Sequence, residues 1–246
     1  MLHMWYLIQQ TSEWTATWVT TPNIKLYIQP GGDAYEQQHN LGPEGRKNIL
    51  DYLENHNGLY LGICAGFFYS AASYYWQGIL YNHPYLLGRF PTLEGPITDI
   101  ANWPNYALTR LSNGIEAIYY GGPTRGYRLT PADLPGEVKA TFVSVPGNPP
   151  AVLTYRRMLL TSVHLEAYEN EGVTGLSTAQ RVENYRYLAH LIDEVAEMNH
   201  VGTSADTVVD WMLTGISAQD IQMPPYRWLA PKTGAVATKS TLVLRT

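Results

Sequence analysis

Gly58-Leu59-Tyr60-Leu61-Gly62-Ile63-Cys64-Ala65-Gly66-Phe67-Phe68-Tyr69-Ser70 holds the only cysteine of this 246-residue chain. Leu59 to Ile63 is short, apolar and bounded by glycine, which predicts a buried strand. Ala65 to Trp76 contains no proline, which predicts a helix starting directly after Cys64. Gly62 and Gly66 stand two positions either side of the cysteine and relieve crowding at a sharp strand-to-helix turn, the setting of an exposed nucleophile. The positive end of the following helix favours a thiolate there. The competing reading is a buried structural cysteine, since free cysteine packs as a small hydrophobe.

A second segment, Arg157-Met158-Leu159-Leu160-Thr161-Ser162-Val163-His164-Leu165-Glu166, reads as a short strand ending at a histidine with a carboxylate two residues on. A thiol nucleophile needs a base to take its proton, and the base needs a third group to hold its tautomer. Residue type and order fit His164 and Glu166 to those tasks. A third segment, Asn23-Ile24-Lys25-Leu26-Tyr27-Ile28-Gln29-Pro30-Gly31-Gly32-Asp33, reads as another buried strand stopped by Pro-Gly-Gly. Glycines at a strand's C-terminal end let backbone N–H groups approach a ligand closely. Ligands of an open parallel sheet bind beyond the carboxyl ends of its strands. The N–H groups of Gly32 and Ala65 are then the expected oxyanion hole, with Gly31 beside them.

Pro-Gly-Gly-Asp-Ala-Tyr at 30 to 35, Leu-Tyr-Leu-Gly-Ile-Cys-Ala-Gly-Phe-Phe-Tyr-Ser at 59 to 70 and Leu-Leu-Thr-Ser-Val-His-Leu-Glu at 159 to 166 follow in that order. The series resembles the class I glutamine amidotransferase-like superfamily, and within it the biotin-protein ligase N-terminal-like family, over about residues 20 to 200. The resemblance implies a flavodoxin-like, doubly wound α/β fold: a mostly parallel sheet with helices on both faces and a β-rich insertion. It implies a triad of Cys64, His164 and Glu166. Glutaminases of the superfamily carry a glutamine four residues after the nucleophile, where this chain has Phe68. A primary amide needs donors and acceptors around it, so free glutamine is not the expected substrate. No Gly-Arg-Gly-type biotinyl-adenylate segment of a ligase is present.

The length and 45% hydrophobic content fit one domain over residues 1 to 246. Residues 1 to 22 form an atypical, abbreviated opening, and 200 to 246 an unassigned extension. An opening without its usual strand leaves a sheet edge unpaired, which favours a homodimer. A net charge of −5 and a pI near 5.8 argue against nucleic acid as a partner. No apolar run approaches the roughly 20 residues that span a bilayer. The start lacks an export signal, and a lone reactive cysteine suits a reducing compartment, so the cytoplasm is expected. No cofactor is expected. His164 and Glu166 have no further ligands at metal-binding spacing, so no metal is expected either.

Pro43 to Asn57 predicts a helix with Ile49, Leu50 and Leu53 on its buried stripe. Residues 78 to 150 predict a mixed β insertion, with strands at Ile115 to Tyr120 and Ala140 to Val145. Tyr119, Tyr120, Gly121, Gly122 and Pro123 are a candidate loop approaching Cys64. Ser177-Thr178-Ala179-Gln180 is a capping box opening a helix to about Asn199. A short helix is expected at Thr203 to Leu213. Asp33 and Glu36, beside the glycine turn, read as solvated loop carboxylates. These observations predict a cysteine-dependent hydrolase acting on an unknown amide or related carbonyl. The alternatives are a non-catalytic binding or regulatory module that keeps the pocket, and a thiol redox sensor acting through Cys64.

Overall fold

The computed structural model describes residues 6–8, 24–124, 135–167, 175–198 and 241–245. The helix expected at Thr203 to Leu213 lies outside the described residues. In chain order the elements are β1 (Tyr6–Ile8), β2 (Ile24–Gln29), α1 (Ala34–Asn55), β3 (Leu59–Ile63), α2 (Ala65–Ser70), β4 (Tyr74–Trp76) and β5 (Ile79–Tyr81). There follow β6 (Leu93–Gly95), β7 (Ala107–Arg110), β8 (Glu116–Tyr119), β9 (Glu137–Thr141), β10 (Pro150–Tyr155), β11 (Met158–Thr161), α3 (Thr178–Met198) and β12 (Thr241–Arg245).

The main sheet runs β1-β12-β2-β3-β11-β10-β9. Its centre, β2-β3-β11, is parallel. Both margins pair antiparallel, β1 and β12 on one side and β10 and β9 on the other. The outer edge of β2, expected to stand open, is covered by β12 of the same chain. Arg156 and Arg157 alone separate the paired residues Tyr155 and Met158 of the β10–β11 hairpin, and Arg156 takes the positive φ of 53° that so tight a turn demands.

The central strands are buried at residues 26–29, 59–63 and 158–161 because both faces are covered. Leu26, Ile28, Leu59, Leu61, Ile63 and Leu159 pack with Leu188, Leu191, Ile192 and Val195 of α3. The alternate residues Tyr27, Tyr60, Met158 and Leu160 pack with Ile49, Tyr52 and Leu53 of α1 and with Phe67 of α2. The two-residue period of the strands thus sorts side chains into two cores, one under a helix on each face. Each fully buried Leu or Ile contributes about 1.5–3 kcal/mol by leaving water. α3 opens as its capping box predicts: Ser177 N–H donates to Gln180 Oε1 at 2.8 Å, and Gln180 N–H to Ser177 Oγ at 3.3 Å.

Two helices differ from their expected spans. α1 begins nine residues before Pro43, at Ala34, because the Asp33 carboxylate accepts from Tyr35 N–H at 2.8 Å and Glu36 N–H at 3.3 Å. It breaks at Gly42 (φ 60°, ψ −167°) and resumes at Pro43, where a missing N–H costs nothing. α2 stops at Ser70 instead of continuing to Trp76. Its last carbonyls are taken by the segment 87–90: Leu87 N–H donates to Tyr69 O, and both Arg89 and Phe90 N–H to Ser70 O. Tyr74 to Trp76 then pair with β5 and β6 instead.

The insertion is β-rich as expected. β4, β5 and β6 form a three-stranded sheet and β7–β8 a hairpin. The strand expected at Ala140 to Val145 lies at Glu137–Thr141 and extends the main sheet beside β10. Among the described residues no helix is long and apolar enough to cross a membrane.

Candidate active site

Register places the three marked segments at one edge of the sheet. Gln29 pairs with Gly62, and Ile63 with Thr161, so Gly31, Cys64 and Ser162 leave the sheet at neighbouring levels. Cys64 stands between β3 and α2 at φ 51°, ψ −104°, well outside the left-handed helical region that positive φ usually implies. Such a conformation costs on the order of 1–3 kcal/mol and persists only where neighbours enforce it. Here its N–H donates to Thr161 O at 2.8 Å, and its carbonyl accepts from Phe67 and Phe68 N–H at 3.0 and 3.1 Å. Gly66 makes the turn geometrically feasible, because a Cβ there would lie 2.0 Å from the Gln29 carbonyl oxygen. Tyr60 Oη, fully buried, donates to the Gly66 carbonyl at 2.6 Å. The N–H groups of Ala65 and Gly66 open a helix and have no intrahelical acceptor.

His164 follows β11 and is held by its own backbone: its N–H donates to Ile118 O at 2.8 Å, a bridge to β8. Its ring is 3% exposed, and Nδ1 sits 2.8 Å from Glu166 Oε1. Burial works against a charged imidazole. The Glu166 carboxylate bonded to Nδ1, together with the nearby Cys64 sulfur, outweighs it and holds the His164 pKa well above its ordinary value. A basic group whose pKa rises on folding stabilises the fold fully below its unfolded pKa, about 6.5, and that contribution fades as pH climbs through the folded pKa. Wild type should therefore exceed Glu166→Gln in stability most clearly near pH 6, with the gap narrowing towards pH 9. Urea unfolding of both proteins across that range measures it, and a gap independent of pH would remove the charged pair.

Gly31 and Gly32 form the turn after β2, with Gly32 at φ 130°. Sequence reasoning missed what holds this turn. Gln37, buried on the first turn of α1, donates from Nε2 to the Pro30 carbonyl at 2.7 Å and, more weakly, to that of Gly31 at 3.4 Å. A buried glutamine on a helix facing a Pro-Gly-Gly turn is the signal that was available. Asp33, beside it, is exposed and caps α1 as described above.

The 119–123 loop does reach Cys64: the thiol donates to the Tyr120 carbonyl oxygen at 3.4 Å. The Tyr119 hydroxyl ties that loop down, accepting from Ile97 N–H and donating to Gly122 O at 2.9 Å. A Cβ on Gly122 would lie 1.9 Å from the Ser162 carbonyl oxygen, so the loop presses on the segment that leads to His164. Phe68 is buried and meets Tyr74 and Trp76 at ring distances of 4.9 and 5.8 Å. A cleft of about 190 Å³ between Gln77, Gly95, Ile97 and Thr124 includes neither Cys64 nor His164. Among the described residues no group of three or more His, Cys, Asp or Glu side chains is arranged to hold a metal ion.

No family model matches the chain, and no curated protein matches it. It is similar to a solved structure described as the crystal structure of glutamine amidotransferase, at 19% identity over 70% of this chain and 79% of that one, with a TM-score of 0.46. So distant a likeness transfers no residue role, and the chemistry rests on this chain's own geometry.

Proposed function

We propose that the chain is a cysteine-dependent, amidotransferase-like hydrolase in which Cys64, His164 and Glu166 form the triad. The observation that carries this reading is the constrained Cys64 elbow beside a buried histidine whose far nitrogen is fixed by a carboxylate. The motifs at the three strand ends, similar to those of the biotin-protein ligase N-terminal-like family in a flavodoxin-like, doubly wound setting, support it.

In the proposed reaction His164 takes the Cys64 proton, and the thiolate attacks the carbonyl carbon of an amide to form a C–S bond. Glu166 stabilises the imidazolium and fixes the tautomer that leaves Nε2 towards the sulfur. Gly32 and Ala65 N–H groups hold the developing oxyanion, and Gly31 shapes the approach. His164 then protonates the leaving amine as the C–N bond breaks. Water, deprotonated by His164, attacks the thioester, which releases the carboxylic acid and restores the thiol. Phe68 replaces a polar contact with a ring, so free glutamine is a poor substrate.

Incubation with p-nitrophenyl acetate should leave an acetyl group on Cys64, located by peptide mass mapping, and release p-nitrophenol. Cys64→Ala should lose both the adduct and that part of the release. A wild-type protein whose Cys64 stays unmodified while the ester persists would remove the hydrolase reading.

A further inference from the structure

We propose that the substrate of this site carries a planar aromatic group next to its scissile carbonyl, recognised by Trp76, Trp103 and Tyr120. The inference rests on the hydrolase reading above and names the substrate class of that site.

The three rings form one connected surface. Tyr120 lies 4.8 Å from Trp103 between centroids, and Trp103 lies 5.4 Å from Trp76 in an edge-on arrangement. Trp76 in turn meets Phe68 edge-on at 5.8 Å. Both ends of this series are anchored at the nucleophile: Phe68 is on the first turn of the helix that Cys64 opens, and the Tyr120 carbonyl receives the Cys64 thiol. The middle is anchored too. A Cβ on Gly121, the residue after Tyr120, would lie 2.9 Å from the Trp103 ring and 3.2 Å from that of Trp76. Glycine at φ 73° therefore brings both indoles against the loop that touches the sulfur.

Trp76, Trp103 and Tyr120 are each partly exposed, unlike Phe68, which is buried. Rings that served only to fill a core would be covered on both faces, and scattered surface aromatics would not touch one another in series. Part of each ring stays exposed despite these contacts, and an exposed aromatic surface is one on which another π-system packs well. A contiguous, partly exposed apolar patch beside a reactive group is the expected form of a ligand wall. The burial-raised pKa of the Tyr120 hydroxyl keeps that ring neutral throughout the ordinary pH range.

The test is protection of Cys64 against iodoacetamide by three small amides: phenylacetamide, acetanilide and acetamide. The first two place a ring on either side of the carbonyl, and the third has none. At least one aromatic amide should halve the labelling rate at a concentration about tenfold or more below that of acetamide. Trp103→Leu and Trp76→Leu should each shrink that ratio towards one, and Trp103→Phe should keep most of it. Acetamide within each variant is the internal reference, so a general loss of folding does not imitate the result. Aromatic amides no better than acetamide in wild type, or a ratio unchanged in both leucine variants, would overturn the inference. Failure of the hydrolase reading shows differently, as Cys64 labelling that does not depend on His164.

Discussion

Gly66→Ala should destabilise the protein by about 2 kcal/mol or more, even though alanine is the better helix former by about 1 kcal/mol. The collision decides the sign. The new methyl group would sit 2.0 Å from the Gln29 carbonyl oxygen and 2.7 Å from its carbon, and both are backbone atoms of the parallel sheet centre. Overpacking costs about 1–3 kcal/mol where side chains can give way, and a strand backbone gives way less, so the upper end applies. For a chain of this length the net loss lowers the thermal midpoint by roughly 4–8 °C. The strain is released by moving α2 away from β2, which also moves Ala65 N–H and loosens the clamp on Cys64. Calorimetry with cysteine labelling on the same sample measures both effects. A variant as stable as wild type would mean that α2 does not approach the end of β2 so closely.

His164→Ala should slow the reaction of Cys64 with electrophiles about tenfold or more at pH 7. An ordinary thiol is only about 3% ionised at that pH, and the thiolate is the reacting form. Cys64 is 5% exposed, and His164, whose pKa is raised by Glu166, is the buried base beside it. Removing the ring takes away the proton acceptor. Glu166→Gln should have a smaller effect in the same direction. It keeps the imidazole beside the sulfur and removes the carboxylate that raises its pKa.

Much of this site was legible in the order of residues. Apolar runs ending in Pro-Gly-Gly, Cys-Ala-Gly and His-Leu-Glu mark three strand ends, and β2, β3 and β11 do lie side by side in parallel. The capping box before α3 was equally clear, because all of its partners lie within four residues. What escaped depends on distant partners. The first half of α1, Tyr-Glu-Gln-Gln-His-Asn, has no apolar stripe; it buries Gln37 and Gln38 instead, and Gln37 serves the glycine turn. Helical continuation past Ser70 looked sound locally, yet the carbonyls that would have continued it accept from Leu87, Arg89 and Phe90. The pairing of β12 with β1 and the cover that it provides for β2 join segments far apart in sequence, with no local periodicity to announce them. The indole pair was hidden for the same reason, since Trp76 and Trp103 meet only through the folded insertion.

The central claim is that His164 activates Cys64. Its most direct test is the rate at which iodoacetamide labels Cys64 at pH 7, measured by peptide mass mapping in wild type and in His164→Ala, with circular dichroism to confirm that both are folded. The expected result is labelling at least about tenfold slower in the variant. Equal rates in two folded proteins would contradict the pairing and leave Cys64 as a strained but chemically ordinary thiol.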